Sequence, residues 1–115
     1  CALPIYVPVA VLVGDGGFMF TMPELLVAAE HKLPIPVVIW DNGGLKQIRD
    51  DMATRNVPRV GVDPLNPDFV ALAQACHCDG VHPQSMDQFR QAFATALNKD
   101  CPTLIVAKEN SDWLL

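Results

Sequence analysis

Two short segments carry residue types suited to holding a charged ligand. The first is Gly14-Asp15-Gly16-Gly17. It follows Val9 to Val13, a β-branched run that reads as a buried strand. The glycines let the backbone turn tightly and approach a ligand closely. Exposed N–H groups in such a turn form a concave anion nest, and Asp15 sets a hard carboxylate oxygen beside it. That pairing suits a phosphate neutralised by Mg²⁺. The second segment, Asp41-Asn42-Gly43-Gly44, closes the apolar run Val37-Val38-Ile39-Trp40. Asn42 offers an amide oxygen, and Gly43 and Gly44 offer unhindered carbonyls. Each segment alone is also common turn chemistry. Together they end consecutive strands, and neighbouring parallel strands lie about 5 Å apart. Asp15 and Asn42 can therefore reach one cation.

The elements that must position these segments alternate. Thr21-Met22-Pro23-Glu24 reads as a capping box with Thr21 as N-cap. Met22, Leu25, Leu26, Ala29 and Leu33 then repeat at helical spacing until Pro34 and Pro36 stop the helix. A further helix is predicted over 45–53, with Leu45, Ile48 and Met52 on one face. Residues 55–66 read as loop. Asn66-Pro67 opens another helix, with Phe69, Leu72, Ala73 and Cys76 on its buried stripe. A short strand follows at 80–82. Ser85-Met86-Asp87-Gln88 is a second capping box, and Phe89, Ala92, Phe93, Ala96 and Leu97 form the cleanest amphipathic stripe. Residues 103–107 make the last buried strand, and 110–115 a tail in which Trp113 is a packing anchor. This order predicts an α/β fold, a three-layer open parallel sheet with helices on both faces. Ligands of such sheets sit at the carboxyl ends of the strands, where both glycine-rich segments fall.

Composition bounds the reading. The chain has 115 residues, half of them hydrophobic, so it forms a single domain at most. Mean hydropathy is +0.23. That value suggests strands buried on both faces and surface that meets another domain or subunit. No apolar stretch is long enough to span a bilayer. Net charge is −5, from 13 acidic and 8 basic residues without a basic run, which argues against nucleic-acid binding. Cys76-His77-Cys78 lacks the spacing of a zinc site, so Cys1, Cys76, Cys78 and Cys101 read as reduced thiols of a cytoplasmic chain. His31 is expected on the surface. His77 and His82 flank the short strand and are expected to lie away from the metal loops. Cys1 to Ile5 carries neither signal-peptide charge nor a cleavage site. One reading frame of a sequencing adapter encodes Ala-Leu-Pro-Ile, so residues 1–5 are expected to be foreign.

The two segments together resemble the motif of thiamine-diphosphate enzymes, which opens on Gly-Asp-Gly and closes on Asn-Asn. Here Gly14-Asp15-Gly16 opens it and Asp41-Asn42 closes it, with 42 − 15 = 27 residues from Asp15 to Asn42. That separation resembles the decarboxylase and acetolactate-synthase branch. Gly17-Phe18, Thr21 to Leu25, Leu33-Pro34 and Ile48-Arg49 extend the similarity, which runs from Val9 to Ala107. The resemblance implies the C-terminal, diphosphate-binding domain of such an enzyme, N-terminally truncated. Asp15 and Asn42 look like side-chain ligands to Mg²⁺, with the Gly44 carbonyl as third ligand. Amides near Gly14, Gly16, Gly17 and Gly44 would hold the diphosphate, and Leu45, Gln47 and Ile48 would face cofactor and substrate. No catalytic residue is expected in this chain. The activating Glu would belong to a pyrimidine-binding domain of a partner subunit, in a homodimer or homotetramer. The implied activity is decarboxylation of a 2-oxo acid, followed by aldehyde release or carboligation. Within the branch, Gly17-Phe18 and Ile48-Arg49 are similar to enzymes acting on guanidino-2-oxo acids.

Two features depart from the family pattern. Asp41 stands where the closing pair usually begins with Asn, and Leu45-Lys46 replaces the usual aromatic-glycine pair. Two rival readings stay open. One is a non-catalytic Mg²⁺-diphosphate module or regulatory subunit. The other is a phosphoacceptor receiver domain, for which Lys108 would serve but the early acidic pair is missing.

Overall fold

A computed structural model describes residues 7–114. The foreign character expected of residues 1–5 falls outside that range. Four apolar runs form one parallel sheet: β1 (Val11–Gly14), β2 (Pro36–Asp41), β3 (Asp79–Val81) and β4 (Thr103–Lys108). The strand order is β1-β2-β4-β3. Ile39 sits opposite both Val13 and Val106, and Val81 opposite Ile105. Because every pair is parallel, all four carboxyl ends share one edge of the sheet.

Successive strand residues face opposite sides, and both sides are covered. Val37, Ile39, Leu104 and Val106 join Phe18, Leu25, Phe69 and Ala73 in the larger core. These last four come from α1 (Asp15–Thr21), α2 (Glu24–Glu30) and α4 (Phe69–Ala75). On the other side Val38, Ile105 and Ala107 pack against Phe89, Ala92 and Phe93 of α5 (Met86–Ala96). Trp113 does anchor the tail, its ring 5.9 Å from that of Phe89. The three-layer α/β sheet read from the sequence is the one observed. The helix α3 (Lys46–Thr54) buries none of its residues and lies off both cores.

Three local expectations differ. Thr21 is no N-cap. It ends α1, and its hydroxyl donates to the Phe18 carbonyl at 3.3 Å. Met22 and Pro23 keep helical dihedrals, so the chain is already helical where a cap must be extended. Pro23 only interrupts the ladder, because it has no N–H. Helix α4 starts later than Asn66-Pro67, from an Asp68 cap that accepts from Val70 and Ala71 N–H. Strand β1 is an exposed edge rather than a buried strand, with Leu12 75% exposed, since no described element covers it. Ser85 does cap α5, accepting from the Gln88 N–H at 3.2 Å. The Gln88 side chain reaches back to the Gln84 N–H, one residue ahead of the expected partner.

Candidate functional site

Asp15 begins α1 directly after β1, and it is 1% exposed. Its Oδ2 accepts from the Gly44 N–H and from Asn66 Nδ2, each at 2.5 Å. Burial pushes the carboxyl pKa up. The donors Asn66, Gly44 and Gly16 outweigh burial and hold it below the usual carboxylate value. A buried, ionised carboxylate thus relies on neutral donors. None of the ion pairs among the described residues involves Asp15 or Asp41.

The second oxygen of Asp15 faces a different surrounding. The Asn42 side-chain oxygen meets only acceptors, the Gly44 carbonyl at 3.1 Å and Asp15 Oδ1 at 3.2 Å. With nothing between them, the Asn42 amide would turn over and donate to both. With a cation between them, the oxygen-inward orientation is the favourable one. Bonds of about 2.0–2.1 Å to Mg²⁺ put adjacent octahedral ligand oxygens about 2.9 Å apart. The observed spacing is a few tenths of an ångström wider, so one carboxylate, one amide and one carbonyl form a donor set that fits a hard dication.

Two glycines make this approach possible. A Cβ on Gly16 would come within 2.7 Å of Leu45 Cδ2 and 3.3 Å of the Gly44 carbonyl oxygen. Gly44 has φ +108°, and a Cβ there would lie 2.7 Å from Pro64 Cδ. The two strand-end segments are therefore in contact, as the spacing of Asp15 and Asn42 implied.

Other expected roles change. Residues 14–17 are a strand-to-helix junction, not an open glycine nest. The Gly44 amide already serves Asp15, so it is no spare anion donor. Gly14 and Gly17 are exposed beside them, with Gly17 in the first turn of α1. Leu45 packs at the head of α3, half-buried against Gly16. Gln47 is exposed and donates to Asp51 on its own helix, while Ile48 is half-exposed.

His82 corrects a further expectation. It follows β3 directly at the shared carboxyl edge, and it lines a cleft of about 400 Å³ with Asp41, Asn66 and Lys108. His77 and His31 are exposed, as expected of His31. Cys76 and Cys78 are buried free thiols with the exposed His77 between them.

Sequence reasoning missed Asn66. Its amide nitrogen donates to Asp15 Oδ2 and, at 3.0 Å, to Asp41 Oδ1. Asn66 was read only as a helix opener. The available signal was two acidic strand ends facing one loop without a base to pair them. Asp41 also accepts from the Gly43 N–H at 3.2 Å.

Comparison with known proteins bears on the family and the fold. Residues 2–107 match the family described as thiamine pyrophosphate enzyme, C-terminal TPP binding domain. The probable 2-ketoarginine decarboxylase AruI of Pseudomonas aeruginosa is 42% identical over 99 residues, covering 85% of this chain and 18% of AruI. The acetolactate synthase isozyme 2 large subunit of Escherichia coli is 36% identical over 94 residues, covering 80% of the chain and 17% of that subunit. The fold matches the thiamine diphosphate-dependent 4-hydroxybenzoylformate decarboxylase of Rhodococcus jostii with a TM-score of 0.80 and 33% identity. That match covers 91% of this chain and 20% of the decarboxylase. The chain thus spans less than a quarter of the length of each of these relatives. By motif, fold and sequence it belongs to the thiamine pyrophosphate enzyme family, as a C-terminal TPP-binding domain.

Proposed function

We propose that Asp15, Asn42 and the Gly44 carbonyl hold Mg²⁺, and through it the diphosphate of thiamine diphosphate, within an enzyme that decarboxylates a 2-oxo acid. The observation carrying this reading is the convergence of the Asp15 carboxylate and the Gly44 carbonyl on the Asn42 amide, each within 3.2 Å of it, at the ends of β1 and β2, the buried carboxylate having no cationic partner among the described residues. Asp15 supplies the negative charge, and its hydrogen bonds keep it ionised. Asn42 and Gly44 supply neutral oxygens, so the set leaves charge for phosphate oxygens to neutralise. Gly16 lets the two loops close, and the exposed Gly17 amide at the start of α1 is the remaining candidate for a phosphate contact. Leu45 covers the cluster from the α3 side, and Gln47 and Ile48 project from α3 toward whatever binds above it.

Thiamine diphosphate, when bound, stabilises the charge left as carbon dioxide departs. The proton chemistry that activates it is assigned to a Glu outside this chain, on a pyrimidine-binding domain of a partner subunit in a cytoplasmic homo-oligomer. The product is an aldehyde or, with a second carbonyl substrate, a carboligation product. The relative named for 2-ketoarginine makes a guanidino-2-oxo acid the first substrate to try. The test supplies thiamine diphosphate, Mg²⁺ and a panel of 2-oxo acids, including pyruvate and a guanidino-2-oxo acid, to the intact enzyme that carries this domain, and measures carbon dioxide release. The guanidino compound should give the highest kcat/KM. No release from any 2-oxo acid would overturn the decarboxylase reading.

A further inference from the structure

The metal reading leaves Asn66 and Asp41 unexplained, and both touch the site. Asn66 sits in the segment between α3 and α4 that Gly44 meets at Pro64. Its amide nitrogen has two hydrogens. The geometry offers one to Asp15 Oδ2 and one to Asp41 Oδ1. Asp15 Oδ2 also takes the Gly44 N–H, so two short donors occupy it. Only Oδ1 remains to face the Asn42 oxygen and the Gly44 carbonyl.

We infer that Asn66 is a positioning residue for Asp15. By occupying Oδ2 it fixes the carboxylate plane and limits Asp15 to one metal-facing oxygen, while Asp41 orients the Asn66 amide from behind. This rests on the Mg²⁺ reading above. An amide suits the role because it donates two hydrogens and never ionises, so it bridges two carboxylates without adding charge. The role also accounts for Asp41 at a position where the family pattern has Asn. What Asn66 and the Gly43 N–H require there is an acceptor oxygen, and both residue types have one.

A monodentate carboxylate held at a fixed angle matters more to Mg²⁺ than to Ca²⁺. Mg²⁺ demands near-ideal octahedral geometry, whereas Ca²⁺ accepts bidentate carboxylates and irregular shells. Losing an outer partner of a ligand typically lowers metal affinity by about 10–100-fold. Asn66→Ala should therefore lower Mg²⁺ affinity by at least about tenfold and Ca²⁺ affinity by less than about threefold. Asp41→Ala should shift the Mg²⁺/Ca²⁺ ratio the same way, and Asp41→Asn, which keeps the acceptor, should restore it.

The experiment displaces Mn²⁺ from the protein with Mg²⁺ or Ca²⁺, in the presence of thiamine diphosphate, and follows the Mn²⁺ spectrum. Circular dichroism checks that each variant is folded. A positioning role is supported when selectivity falls in Asn66→Ala and in Asp41→Ala and returns in Asp41→Asn. Equal losses for both cations, or none, would overturn it. If Asn66→Ala does not fold, the two Asp41 variants read the same link alone. Asp15→Ala separates the two ideas. If it leaves Mn²⁺ binding intact, the metal reading itself fails. If it abolishes binding while the Asn66 and Asp41 variants keep wild-type selectivity, only the positioning role fails.

Discussion

Three residues carry the proposed site, and each offers one oxygen with little bulk. Asp15 and Asn42 were legible in the sequence because their types and separation follow directly from the ends of two consecutive strands. The bond from the Gly44 N–H to Asp15 was not legible, because its direction depends on φ +108°, which no local rule supplies. Asn66 was illegible for a related reason. It reaches Asp15 across 51 residues, through a loop with no periodicity to read. Asn42→Leu keeps the volume and removes the oxygen. The fold should survive by circular dichroism while thiamine diphosphate affinity falls. If the variant binds as tightly as wild type, Asn42 is a turn residue only. Gly44→Ala asks for a left-handed backbone and a clash with Pro64, so it should cost about 1–3 kcal/mol in urea unfolding. A loss below about 0.5 kcal/mol would mean the loop accommodates a side chain freely.

The elements follow the apolar periodicities closely, and the departures are at their ends. The α5 stripe and the strands β2 and β4 were readable because one residue in every two or four must face a core. Caps were less readable, since Thr21 and Ser85 both precede a plausible partner and only Ser85 has extended dihedrals. This yields a paired expectation. Asp68→Ala removes the acceptor for two amides and should cost about 1 kcal/mol. Thr21→Ala, on an exposed residue whose hydroxyl reaches only the Phe18 carbonyl, should change stability by less than about 0.5 kcal/mol. Thermal melts of both variants would show it, and the reverse order would restore Thr21 as a cap. On the last buried elements, burial pushes the Cys78 thiol up to about 11, with Cys101, Cys76 and Asp79 adding to it. The folded state holds that proton more tightly than the unfolded chain does. Stability from this group is present below the usual value of 9.0 and is lost as pH rises through about 11. Alkylation of Cys78 at pH 8 should therefore proceed only as fast as the fold opens.

At the scale of the molecule, the apolar composition finds its explanation at the β1 side. Leu12 is 75% and Phe20 81% exposed, beside an edge strand with unpaired backbone groups. Such an edge invites association. Light scattering of the 115-residue chain by itself should show oligomers or aggregates, and a clean monomer at high concentration would contradict that. The same chain alone should not decarboxylate 2-oxo acids at enzyme-like rates. Acid–base help worth about 10²–10⁴-fold is assigned to a Glu it does not carry. No helix among the described residues is long and apolar enough to cross a membrane. Cofactor loading joins the residue scale to the whole. The most direct measurement titrates thiamine diphosphate into the intact enzyme that carries this domain, with and without Mg²⁺, following tryptophan fluorescence, for wild type and Asp15→Ala. Wild type should bind only with Mg²⁺ and lose the cofactor to a chelator, and Asp15→Ala should show no Mg²⁺-dependent binding. Undiminished, Mg²⁺-dependent affinity in Asp15→Ala would contradict the assignment of the three oxygens to the metal.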